Sequence, residues 1–253
     1  MIHVLNYPLL VFAISLITLW VSVHAGNHLR EKVRPLEDCH REDFIVVQGA
    51  AMTLLGLLIG FTFSMAISRY DQRKDYEEAE ANAIGTEYVR AGLLPAADAA
   101  KVQGLLREYL NQRVLFYTTR DEKQLRQNSA ATYQIQGDLW SVVQARGVAQ
   151  PTPVIAVVLA GMNDVLNSRG YTEAAWLNRI PVSAWILLLV ISMGCNLLIG
   201  YGAHGKNIML FMIFPLAVSV SLFLVADIDS PRRGVIRVHP ENLISLSESL
   251  HSH

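Results

Sequence analysis

Four stretches of the chain carry no charged residue: 4–23, 44–68, 180–203 and 207–226. Each holds 20 to 25 residues. At a rise of about 1.5 Å per residue, a helix of that length crosses a hydrocarbon core about 30 Å thick. Between the second and third stretches the apolar positions recur with a helical period, and no strand-like alternation persists. Residues 69–94 continue the second span as one helix, slightly weakened at Gly85 and Gly92 and stopped by Pro95. Residues 96–118 carry the stripe Leu105, Leu106, Tyr109, Leu110 and Val114. Residues 122–146 carry Tyr133, Ile135, Leu139, Trp140 and Val143. Gln150-Pro151-Thr152-Pro153 is a rigid break. A helix is expected over 154–168 with Gly170 as its stop. A further helix is expected from Thr172, leading through Pro181 into the third span.

The pattern predicts an all-α integral membrane protein. Residues 1–68 form transmembrane helices 1 and 2, and 69–179 a cytoplasmic helical domain inserted between spans 2 and 3. Residues 180–226 form transmembrane helices 3 and 4, and 227–253 a cytoplasmic tail. Four spans place both termini and the insert on one face. Near the membrane that face carries Arg69, Arg73, Lys74, Arg179, Arg232, Arg233 and Arg237. The other carries Arg30, Lys32, Arg34, Arg41 and Lys206. The positive-inside rule puts the first set in the cytoplasm. No Lys or Arg precedes the first stretch, so it reads as a retained helix and not as a signal peptide. Trp176 and Trp185 mark the interface before the third span.

Composition agrees. Of 253 residues 52% are hydrophobic and 17% charged, where a soluble domain has about 25% charged residues. The chain is too apolar for disorder, and at net charge −1 too neutral for a nucleic-acid binder. Only Cys39 and Cys195 are present, so no disulfide framework is expected. Phosphate-loop, dinucleotide, nucleophile-elbow and zinc-protease motifs do not occur, and no enzyme is expected. No charged residue lies inside a span, which argues against a proton-coupled transporter or a voltage sensor.

The second span has two stripes of interest. Gln48, Met52, Leu55, Ile59, Thr62, Ala66, Arg69 and Arg73 fall on one line, polar at both ends and apolar in the middle. Repeated around an axis, with Phe63 beside it, this line would make a pore with a hydrophobic constriction and a cationic mouth. The neighbouring line, Gly49, Thr53, Gly56, Gly60 and Ser64, would allow close helix packing. Plain packing in a monomeric bundle is the other reading of both lines.

Charges collect where the second and fourth spans end. Asp227 and Asp229 are expected to pair with Arg69 or Arg73 across this collar. A sharper alternative makes the two aspartates a calcium site with Glu77 or Glu80, although no EF-hand spacing exists. No other cofactor is expected. The run from Asp75 to Glu80 reads as a solvated helix face with i,i+4 pairs. His24, His28, Asp38, Cys39 and His40 read as an exposed polar loop in preference to a zinc or copper site. Asn196 is expected to bond across helices or face a cavity.

LLGLLIGFTFSMAISRYDQRKDYEEAEANAIGTEYVRAGLLP, from Leu54 to Pro95, and ADIDSPRRGVIRV, from Ala226 to Val238, resemble the bacterial bestrophin-like domain family. The layout of four spans around a helical insert extends the resemblance over nearly the whole chain. It implies kinship with bestrophins, which are pentameric anion channels. A homo-oligomer, a pentamer by that kinship, in a bacterial inner membrane and handling inorganic ions is the resulting expectation. Nothing matches the long acidic calcium clasp of animal bestrophins. The function expected is an oligomeric channel, anion-selective, with the second span lining a central pore. The alternative is a non-conducting scaffold or sensor whose cytoplasmic domain binds a partner.

Overall fold

The computed structural model describes residues 4–32, 38–203 and 208–251. The expected turn at 204–207 and the side chains of Asp38, Cys39 and His40 lie outside the described residues. Among the described residues eight α-helices follow one another: α1 (Pro8–Lys32), α2 (Asp38–Ala91), α3 (Ala96–Thr118), α4 (Glu122–Ala149), α5 (Pro153–Leu177), α6 (Val182–Gly202), α7 (Ile208–Asp229) and α8 (Glu241–His251). No strand occurs among the described residues. Among the described residues, four helical segments are long and apolar enough to cross a membrane. The chain divides into two compact units, Met1–Tyr70 with Arg179–Arg237, and Asp71–Asn178 with Val238–His253. Of the tail expected over 227–253, residues 227–237 fall in the first unit and 238–253 in the second.

In the first unit α1 starts on Pro8, whose fixed φ and missing N–H suit a first helical turn. Its core joins Val11 and Leu19 of α1, Leu55 and Ala66 of α2, Trp185, Leu188 and Cys195 of α6, and Leu222 and Val225 of α7. Two glycines let α1 and α6 approach backbone to backbone. A Cβ on Gly26 would strike the Leu197 carbonyl, and one on Gly200 the Val23 carbonyl. Two buried hydroxyls of α1 return to their own helix, Ser15 to the Phe12 carbonyl and Ser22 to that of Thr18. Asn196 does the same. Its Nδ2 donates to the Ser192 carbonyl at 2.7 Å, one turn back in α6 and not across helices.

The second unit holds the end of α2, then α3, α4, α5 and α8. Asp121 caps α4 by accepting from the N–H groups of Lys123 and Gln124. The Thr152 hydroxyl caps α5, with Pro153 in its first turn. One boundary differs from expectation. Gly170 does not stop a helix, and α5 runs unbroken from Pro153 to Leu177. A glycine inside a helix costs about 1 kcal/mol relative to alanine. The apolar face on both sides of Gly170 outweighs that, since Val165, Thr172, Ala175 and Trp176 are all buried.

Candidate functional site

The line expected to face a pore is turned toward the first unit's own core. Leu55 and Ala66 are core residues, Ile59 and Phe63 pack against them, and Thr62 is buried with its hydroxyl on the Leu58 carbonyl. Gln48, Met52 and Arg69 are partly buried. A side chain covered by its own chain is not available to line an aqueous axis. The opposite face of α2 is open. Gly49, Gly56 and Gly60 have nothing within 4 Å of an added Cβ, and Leu57 and Phe61 on the same side are 52% and 62% exposed. Only 6% of the most apolar stretch of this helix is buried, against 28% in α1 and 50% in the last span.

The collar forms, with partners partly different from those expected. Asp229 lies 3.8 Å from Arg69 and 3.3 Å from Arg179, and accepts the Ile180 N–H at 3.1 Å. It ties the start of α6 to the end of α7. Asp227 takes two backbone donors, Val235 N–H and Ile236 N–H, both at 2.8 Å. The chain folds back through Gly234, where a Cβ would collide with the Asp227 carbonyl. Both oxygens of Asp227 are thus engaged by the turn that follows it. No group of three or more potential metal ligands occurs among the described residues. Arg73 is buried in the second unit, where its Nε donates to the Ala175 carbonyl at 3.4 Å.

The acidic run after the second span is not uniformly solvated. Asp75 and Glu78 face water, whereas Glu77, Glu80 and Glu87 are each at most 1% exposed. Glu80 accepts from Arg113 through Nε and Nη2 and from the Thr172 hydroxyl at 3.1 Å. Burial alone would pull the Arg113 guanidinium down, but Glu80 beside it leaves it above its ordinary value. Glu77 accepts the Leu243 N–H at 3.0 Å and the Asn242 side chain at 2.7 Å, holding the start of α8. Neither oxygen of Glu87 has a hydrogen-bond partner among the described residues. Burial pushes its pKa from the ordinary 4.5 up to about 8, with Arg90 opposing and Asp164 adding to the rise. These residues were missed in the sequence because their partners lie 33 to 166 positions away. Their spacing along one helix face, Arg73, Glu77, Glu80, Ile84 and Glu87, is the signal that was available.

A bestrophin-like domain model matches residues 9–243. The chain belongs to the bestrophin-like family. This bestrophin-like chain also resembles solved structures in fold. A mutant of a bacterial Bestrophin homolog from Klebsiella pneumoniae aligns over 97% of this chain and 98% of its own, at 12% identity and a TM-score of 0.66. A second crystal structure, described as that of a membrane protein carrying a glycine-to-alanine mutation, covers 96% and 97% at 11% identity and a TM-score of 0.68. No curated protein sequence matches significantly. The bestrophin-like match spans both units, from early α1 to the start of α8, and so includes the collar and the buried carboxylates.

Proposed function

We propose that this chain is an oligomeric ion channel whose central pore is lined by the exposed face of α2. The observation that carries the reading is the nakedness of that helix. A spanning helix in a small bundle ordinarily has one flank fully covered, yet only 6% of the most apolar stretch of α2 is fully buried, and Gly49, Thr53, Gly56, Gly60 and Ser64 face outward. Glycines and hydroxyls suit close contact with a neighbouring helix, or water, better than acyl chains. Leu57 and Phe61 on the same face supply the apolar ring that gates by dewetting. Four spans, with the termini and the second unit in the cytoplasm of a bacterial cell, complete the reading on the strength of the basic residues at the span ends.

Anions are the permeant class that kinship with bestrophins implies, and five copies the assembly. Arg69 and Arg73 support selectivity less than the sequence suggested, because one faces Asp229 and the other is buried. Asp227 and Asp229 serve as the clasp of the last span and not as a calcium site. Currents of the purified protein in planar bilayers under a chloride gradient test the proposal. Unitary events reversing toward the chloride potential are expected. Phe61→Ala should raise conductance or open probability severalfold, and Ile59→Ala, behind it in the core, should change neither. Silence at both polarities from protein verified as an oligomer would sink the channel and leave the scaffold.

A further inference from the structure

A cavity of about 130 Å³ lies in the first unit among α1, α6 and α7. Val11, Ile14, Ser15, Trp185, Ile186 and Leu222 are among its walls. Ile14 and Ile186 are about half exposed, so the mouth opens on the outer surface of the spanning helices. Ser15 offers the cavity no free donor, since its hydroxyl is bonded to the Phe12 carbonyl at 3.0 Å. Trp185 differs. It is 7% exposed, and its buried Nε1–H has no acceptor among the described residues. Apolar cavities of this size stay dry and take up apolar molecules, so water is a poor candidate for the missing partner.

The depth of Trp185 narrows the choice. It stands in the first turn of α6, just after Arg179 and Pro181. That is the headgroup boundary, where tryptophan places its ring in hydrocarbon and its N–H toward polar atoms. The hydrogen-bond acceptors bonded directly to hydrocarbon at that depth are the ester carbonyls of glycerolipids. We propose that the cavity holds the carbonyl end of a glycerolipid acyl chain, with the ester oxygen accepting from Trp185 Nε1–H and the first methylenes lying between Ile14 and Ile186. This site is independent of whether the protein conducts.

Native mass spectrometry of the intact, detergent-solubilised protein tests it, with two probes of equal chain length and headgroup. One is a diacyl phosphatidylglycerol, the other its dialkyl-ether analogue, which lacks the carbonyl. The wild type should retain the diacyl lipid about fivefold better, the worth of one ordinary hydrogen bond. Trp185→Phe keeps the ring and loses the donor, and should retain both lipids equally. Ser15→Phe fills the cavity and should lose both lipids with helicity and assembly size unchanged. Equal retention of the two lipids by the wild type, a comparison that needs no variant, overturns the proposal. So does a preference that survives Trp185→Phe. If Ser15→Phe instead alters assembly size and leaves lipid retention unchanged, the occupant is a second copy and the proposal fails.

Discussion

Glu87 places a carboxyl where no donor among the described residues hydrogen-bonds to it. Its oxygens rest against Gly161, where any larger residue would collide with them, and Arg90 and Asp164 are the charged groups that act on it. Its pKa of about 8 means the folded protein keeps a proton that the unfolded chain releases near 4.5. The stability from neutral Glu87 is then complete below pH 4.5 and is lost as pH rises to about 8. Melting temperature should fall between about pH 5 and about pH 9 in the wild type, and Glu87→Gln should remove most of that slope. Parallel curves for the two proteins would refute the assignment. Glu80 is the opposite case, a buried carboxylate with every near donor in place. Arg113→Met strands it and should cost about 3–5 kcal/mol, a drop in melting temperature of about 6–20 °C. Adding Glu80→Gln should recover part of the loss in the same measurement. The sequence identified these glutamates as helical but not as buried. Burial depended on Arg113, Thr172 and Leu243, which are near only after folding.

Helix–helix contact in the first unit is decided by glycines that the sequence did not single out. The Gly56 and Gly60 pair has the familiar spacing, yet both positions are open. Gly26 and Gly200 lie on different helices, and spacing within one helix cannot reveal them. Each sits where the opposite backbone occupies the place of a Cβ. Gly200→Ala should therefore overpack the α1–α6 contact and cost about 1–3 kcal/mol. Gly56→Ala should leave the subunit's thermal unfolding in detergent unchanged. Equal effects of the two substitutions would show that the α1–α6 contact is not as close as described. Element boundaries were largely legible. Pro95 and the Pro151–Pro153 break fall where helices meet, because proline chemistry is local. Gly170 misled because packing on both sides of it overrides a local penalty.

At the scale of the molecule, α2 is 54 residues long and its second-span portion is nearly bare. A bulky residue on its open face should act between copies and not within one. Gly60→Leu should shift the assembly toward smaller species by light scattering in detergent, while monomer helicity by circular dichroism stays as in the wild type. An unchanged assembly mass would move the contact between copies off this face. The sequence alone determined that the chain is all-helical, that four stretches can cross a membrane, and which family it belongs to. Hydrophobic length and local helix chemistry are written in consecutive residues, so they need no fold to be read. Only the tertiary structure decided which face of α2 is covered. Gln48, Met52, Leu55, Ile59 and Gly49, Thr53, Gly56, Gly60 form adjacent lines on one helix, and both satisfy the same period. Which line meets α1, α6 and α7 is fixed by shape complementarity among residues from a few dozen to well over a hundred positions apart. That choice put Leu55 and Ala66 in the core and left Phe61 and the glycines for a neighbour or for water. In the second unit, contact with Arg113 and Thr172 turned Glu80 from a solvated charge into half of a buried pair.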